Sequence, residues 1–146
     1  MLYAWQYVGR VMNFELNLFS SNQAQQFTEV YSFVGADESG SFGIQAAHAD
    51  FMTVLSFGLS RFRFSDEKTW HYLALPSGLA SFRANQLTIS TRYYLIDTDF
   101  HRITHLLEQQ ALKEQENMYA IRESLQRMEL AMLKKIRNLK HDIRWE

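Results

Sequence analysis

The sequence predicts an N-terminal antiparallel β-sandwich of about eight strands followed by a C-terminal two-helix hairpin. Two observations carry this. From Asn13 to about Arg92 the apolar residues recur mostly with period two, as half-buried strands do, whereas after Ile96 they recur at steps of three and four, as on one face of a helix. Turn-forming clusters also punctuate the first part at the roughly 8–12-residue spacing of a sandwich or barrel. The boundaries expected are an extension over 1–12, the sandwich over 13–96 and the helical tail over 97–146.

Taken in order, Met1 to Val11 has neither a basic start nor a small-residue cleavage pattern, so it reads as a loosely attached extension, with Met12 as an alternative start. Phe14, Leu16 and Leu18 then alternate with Glu15 and Asn17. Phe27 to Val34 is rich in aromatic and β-branched residues, Phe62 and Phe64 alternate with Arg61 and Arg63, and Leu87, Ile89 and Thr91 alternate again. Between them lie the turn signals Ser20-Ser21-Asn22, Gly35-Ala36-Asp37, Ser65-Asp66-Glu67, Pro76-Ser77-Gly78 and Ala84-Asn85. Asp97-Thr98-Asp99 offers a helix N-cap, after which Phe100, Ile103, Leu107 and Ala111 share one face. A polar stretch, Glu114-Gln115-Glu116-Asn117, precedes a second stripe of Met118, Ile121, Leu125, Met128, Met132, Ile136, Leu139 and Ile143. Neither Gly nor Pro separates the two stripes, so a hairpin bent near Glu116 and one long helix are both open. The hairpin is favoured because two narrow apolar stripes bury each other when folded back.

Composition excludes several chemistries. The chain lacks cysteine, which removes disulfides and thiolate metal or redox sites. It has no apolar run near the ~18–20 residues of a membrane span. Its formal charge of -1 is uneven: residues 1–100 carry six basic against nine acidic groups, residues 101–146 nine against seven. No G-x-x-x-x-G-K-[ST] or G-x-G-x-x-G loop cradles a phosphate, and no serine sits in a G-x-S-x-G elbow. His101 and His105 stand at i and i+4, a metal-capable spacing, yet without the glutamate of H-E-x-x-H they read as a solvated helix face. The aromatics and arginines of Arg61-Phe62-Arg63-Phe64 admit a nucleic-acid-binding small β-barrel as the alternative reading, against which the acidic body weighs. The basic residues of the second helical stretch, Arg127, Lys134, Lys135, Arg137 and Lys140 among them, admit a solvated face, an anionic lipid surface or an acidic partner protein.

The run Gly40-Ser41-Phe42-Gly43-Ile44-Gln45-Ala46-Ala47-His48-Ala49-Asp50-Phe51-Met52-Thr53 resembles the signature of the epsilon subunit of F-type ATP synthases, G-x-x-G-[IV]-x-x-x-H-A-x-[FL]-x-T. The strand Phe14 to Phe19, Gly58-Leu59, Tyr72-Leu73-Ala74, Ser77-Gly78-Leu79 and the helical tail follow in that family's order. The resemblance implies a non-catalytic central-stalk subunit of a proton- or sodium-translocating complex, peripheral on the cytoplasmic face of the inner membrane, without nucleic acid as partner. It further implies a loop resting on the c ring, carried by Ser41, Phe42, Ile44, His48 and Asp50, and another face on the gamma subunit. Gly40 and Gly43 are read as giving that loop its backbone freedom. His48 either meets the partner or holds its own loop, and Ala46, Ala47 and Asp50 replace the prolines and glycines common there.

Some members bind regulatory ATP through [IL]-D-x-x-R-A at the start of the tail. Asp99 and Arg102 keep the D-x-x-R core while Thr98 and Ile103 depart from its ends, and the same two residues are also an ordinary i, i+3 helix pair; no cofactor is otherwise implied. In the family the second helix can extend toward the catalytic hexamer and block hydrolysis. The resemblance assigns Arg127, Lys134, Lys135, Arg137 and Lys140 to the alpha and beta subunits, and the Met128 and Met132 side to gamma or the sandwich. The polar gap and the Met-rich second stripe are also similar to the N-type, or alternate, branch of these ATPases.

Overall fold

The computed structural model describes residues 12–143, with side chains as far as Lys140; the extension expected over 1–12 lies, but for Met12, outside the described residues. Among the described residues nine strands precede one helix: β1 Phe14–Phe19, β2 Ala24–Asp37, β3 Gly40–Gln45, β4 Phe51–Leu55, β5 Gly58–Phe64, β6 His71–Leu75, β7 Gly78–Arg83, β8 Gln86–Thr91, β9 Leu95–Asp97 and α1 Phe100–Ile143. That is one more than the eight or so expected; β9, three residues long, is too short to show a period.

The strands form two layers joined through β2. Its first half pairs with β1, and β1 continues through β8 and β7 to β4; its second half pairs with β3 on one side and with β5 on the other, from which β6 and β9 follow in turn. The passage between layers falls where both ladders of β2 lose register. Four residues of β2, Phe27 to Val30, stand opposite the three from Phe14 to Leu16, and Glu29 adopts φ +61°. An extra residue of this kind kinks a strand and increases its twist, which lets one strand serve two sheets. Every pairing is antiparallel except β1 with β8, a departure from the purely antiparallel expectation. It arises because the chain builds the opposite layer between those two strands and returns from the same end.

Alternation fills the interior. Phe14, Leu16 and Leu18 of β1, Phe62 of β5, Phe82 of β7, and Leu87 and Ile89 of β8 are fully buried in one cluster with Phe33, Ile44, Leu55 and Leu73. Phe14 meets Phe82 edge-on at 5.7 Å, a favoured aromatic geometry. The layers approach closely at Gly35: a Cβ there would lie 2.9 Å from Phe33 Cε1, 3.1 Å from Leu55 Cδ2 and 3.2 Å from Phe42 Cζ. In β6 the alternation gives way, with Leu73, Ala74 and Leu75 all buried. Ala74 faces away from the main core, yet Ile103 and Leu107 of α1 cover it together with Leu59, Tyr72 and Leu95. Of the stripe predicted from Phe100, Ile103 and Leu107 thus pack as a helix on a sheet.

The hairpin expected beyond Glu116 is not formed; α1 runs unbroken to Ile143. The physical reason is the absence of a stop signal. Glu114, Gln115 and Glu116 are good helix formers, and a lone Asn117 without Gly or Pro does not interrupt the ladder. Two compact units divide within this helix: Met1–Leu107 holds the sandwich and the first turns, and Glu108–Glu146 holds the rest. No helix among the described residues is long and apolar enough to cross a membrane.

Candidate functional site

The segment read as one surface loop is instead a strand, a short connection and a strand. Ser41, Phe42 and Ile44 lie on β3, and only residues 46–50 are free of regular structure. Ser41, opposite Ala36, and Asp50 are exposed. Phe42 turns inward, with its ring 6.4 Å from that of Phe33 and 5.1 Å from that of Phe51. Ile44 is fully buried in the core and is therefore removed from the set of residues able to touch a partner. Gly43 needs no special backbone; only Gly40, at φ +121°, uses the freedom expected of both glycines. Six residues of strand extend roughly 20 Å. Ser41 and the His48–Asp50 pair consequently lie toward opposite ends of β3.

At the His48 end the connection is tied down. His48 Nδ1 lies 2.7 Å from the Ala49 carbonyl and its backbone N–H donates to Gln45 O at 3.2 Å. Its ring stands edge-on to Phe51 and Phe82, 5.8 Å from each. His48 thus holds its own loop while remaining exposed. Asn85, read in the sequence only as a turn residue, is the second anchor. Ala84 and Asn85 both take positive φ, +51° and +58°, the type I′ pattern that joins β7 to β8 in two residues. The Asn85 side chain then accepts the Ala47 N–H at 3.0 Å and donates to Asn13 O at 2.8 Å. The φ of +62° at Ala47 is held by this clamp.

The Ser41 end is built differently. Asp37 Oδ1 accepts from the Ser39 N–H at 2.9 Å and from Ser39 Oγ at 2.5 Å, while its Oδ2 accepts from Thr53 Oγ1 at 2.6 Å. The Ser39 and Thr53 hydroxyls hold this carboxyl below the usual carboxylate range. Around it a hollow of about 720 Å³ is lined by Asp37, Glu38, Thr53, Val54, Phe57 and Pro76. Phe57 is 52% exposed and Val54 62%, so this end offers bare apolar surface beside two carboxylates.

Residues 13–94 match the family described as ATP synthase, Delta/Epsilon chain, beta-sandwich domain. The chain belongs to this family. Over 76 residues it is 34% identical to the ATP synthase epsilon chain 2 of Cereibacter sphaeroides, covering 51% of each chain. Over 78 residues it is 31% identical to the chloroplastic ATP synthase epsilon chain of Jasminum nudiflorum, covering 53% of this chain and 57% of that one. The chain thus spans about half the length of the curated relatives it matches. Among solved structures it resembles a chain of the Euglena gracilis mitochondrial ATP synthase, OSCP/F1/c-ring, with TM-score 0.55 and 18% identity over 73% of this chain and 69% of that one. That likeness is one of fold.

Within this delta/epsilon framework the start of α1 is a structural junction. Asp99 caps the helix by accepting the Arg102 N–H at 3.1 Å. The Arg102 side chain does not pair with Asp99; it grips Asp97 through Nε at 2.5 Å and Nη2 at 2.7 Å. Asp97 also accepts the Asp99 N–H at 3.0 Å. Both members of the D-x-x-R core are thereby engaged in fastening the helix to β9. Sequence spacing suggested the i, i+3 pair, whereas the partner is the last residue of a strand too short to read. His101 and His105 are exposed, and no group of three or more metal-ligating side chains occurs among the described residues. In the second unit Arg127, Lys134, Lys135, Arg137 and Lys140 are all exposed. So are Met118, Ile121, Leu125, Met128, Met132, Ile136 and Leu139, between 50% and 62%. Phe62 and Phe64, which motivated the nucleic-acid alternative, lie within or against the core.

Proposed function

We propose that the chain is an epsilon-type central-stalk subunit of an F-type ATP synthase, contributing no catalytic group and linking the gamma subunit to the c ring. The observation that carries this reading is the family match over residues 13–94 on a sandwich that runs directly into a charged helix. Of the residues assigned to the c ring by resemblance, Ser41 acts with Phe57 and Val54 at one end of the sandwich, where apolar surface is bare. His48 serves the opposite end by shaping its loop, with Asp50 exposed beside it. Asp99 and Arg102 hold the helix start.

The tail is the regulatory element in this proposal. Arg127, Lys134, Lys135, Arg137 and Lys140 meet acidic surfaces of the alpha and beta subunits, and the Met128 and Met132 side meets gamma. Support comes from the exposure of the cations and of the apolar stripe along one helix. Deleting the residues after Glu116 should leave assembly intact and raise ATP hydrolysis in the reconstituted complex. Unchanged hydrolysis removes the inhibitory role, and failure of the full chain to join gamma removes the stalk assignment.

A further inference from the structure

On the outer side of the second layer, two arginines of β5 are stacked on aromatic rings. Phe62 points into the core, so Arg61 and Arg63 on either side of it point out. The Arg61 guanidinium lies 4.4 Å from the centroid of Trp70, and that of Arg63 lies 4.7 Å from Tyr31 and 5.5 Å from Trp70. Such stacking fixes the guanidinium planes, so less freedom is lost when they bind. Among the described residues neither cation meets a carboxylate. Arg63 Nε is buried and has no acceptor. The nearby Glu67 is engaged with His71 Nε2 at 3.1 Å. Beside Arg61 a hollow of about 280 Å³ opens, lined by Val34, Ala36, Leu59, Tyr72 and Phe100.

We propose that Arg61, Arg63, Trp70 and Tyr31 form a docking surface for an acidic segment of a partner protein. Its carboxylates pair with the two stacked guanidiniums, and an adjacent aliphatic side chain enters the hollow. Charge complementarity selects this occupant. Two oriented, uncompensated guanidiniums match carboxylates in bidentate fashion. The body they sit on carries nine acidic groups against six basic over residues 1–100, which disfavours a long, continuous polyphosphate more than a segment that brings only two carboxylates to the arginines. An arginine already lies over a face of each ring, which reduces the surface left for stacking a nucleobase. Arg61, Arg63, Trp70 and Tyr31 are assigned neither to an end of the sandwich nor to the tail, although Ser41 and Phe100 also line the hollow; the Trp70 readout below keeps this test separate from theirs.

The test uses the full chain and a fluorescein-labelled peptide alternating Glu and Leu, with a Gln and Leu peptide as control. Anisotropy at low salt should show binding that weakens roughly tenfold or more with the Gln peptide, and as much for the exposed-site variant Arg61→Gln. In ¹⁵N-labelled protein the Trp70 indole N–H, assigned through Trp70→Phe, should shift on titration, which separates this surface from the basic tail. No binding, equal affinity for both peptides, an unmoved Trp70 resonance, or preferential displacement by a single-stranded oligonucleotide would each overturn the proposal.

Discussion

Arg102 holds the carboxylate of Asp97 through two hydrogen bonds, at 2.5 and 2.7 Å, and so fastens the first turn of α1 to the last strand of the sandwich. The Arg102 side-chain bonds, followed by the Asp99 backbone N–H, hold the Asp97 carboxyl far below the usual carboxylate range. A carboxylate whose pKa is depressed on folding stabilises the fold above its unfolded value of about 4, and that stabilisation is lost as pH falls through the folded value. The melting temperature of Asp97→Asn should therefore fall below that of the parent at neutral pH. The gap should narrow steadily once pH drops below about 4. Asp37, lowered chiefly by Ser39 and then Thr53, acts in the same direction. A gap that stays constant into strong acid would show that Asp97 acts by shape and not by charge.

Asn85 tests the clamp at the His48 end. Asn85→Ala removes the bonds to Ala47 and Asn13 and places an ordinary residue at φ +58°. Urea unfolding should report a loss of roughly 2 kcal/mol. Asn85→Gly tolerates the backbone but lacks the amide, so it should lose only about half as much. Equal losses in the two variants would assign the whole effect to the side-chain bonds.

Gly35 tests how closely the layers meet. A methyl group at this position would press on Phe33, Leu55 and Phe42 together, with its nearest contact at 2.9 Å. Gly35→Ala should destabilise by about 1–3 kcal/mol through overpacking, although alanine is otherwise the better strand residue. Unfolding as stable as the parent would mean that the Phe33 ring moves aside freely.

The sandwich was legible because its strands are half-buried: Phe14-Leu16-Leu18 and Leu87-Ile89 alternate in sequence and face one core in space. What escaped was whatever depends on pairing. The parallel contact of β1 with β8 leaves no local mark, and neither does the Arg102 bond to a strand of three residues. The motif around Gly40 located the right region but not its shape. Ile44 belongs to the core by the same alternation that was applied elsewhere, and that alternation, extended from Ser41 through Gln45, is the signal that would have found it. Asn85 carried a turn signal, but its reach to Ala47 is a tertiary contact with no sequence trace.

The sharpest difference between sequence and structure is the continuity of α1, and it can be measured directly. A hairpin bent near Glu116 would place that residue in a turn, where proline is tolerated. In the unbroken helix the same proline removes a ladder hydrogen bond and clashes with the preceding turn, at a cost of about 3 kcal/mol. Glu116→Pro should therefore lower the far-UV helical signal of the full chain and open the tail to proteolysis near residue 116, while Glu116→Ala leaves both unchanged. The sandwich should be untouched in either variant, since Ile103 and Leu107, the helical residues that cover Ala74, precede the substitution. A proline variant with the parent's helical content would restore the hairpin, because only a chain already bent at Glu116 accommodates the ring without losing a turn of helix.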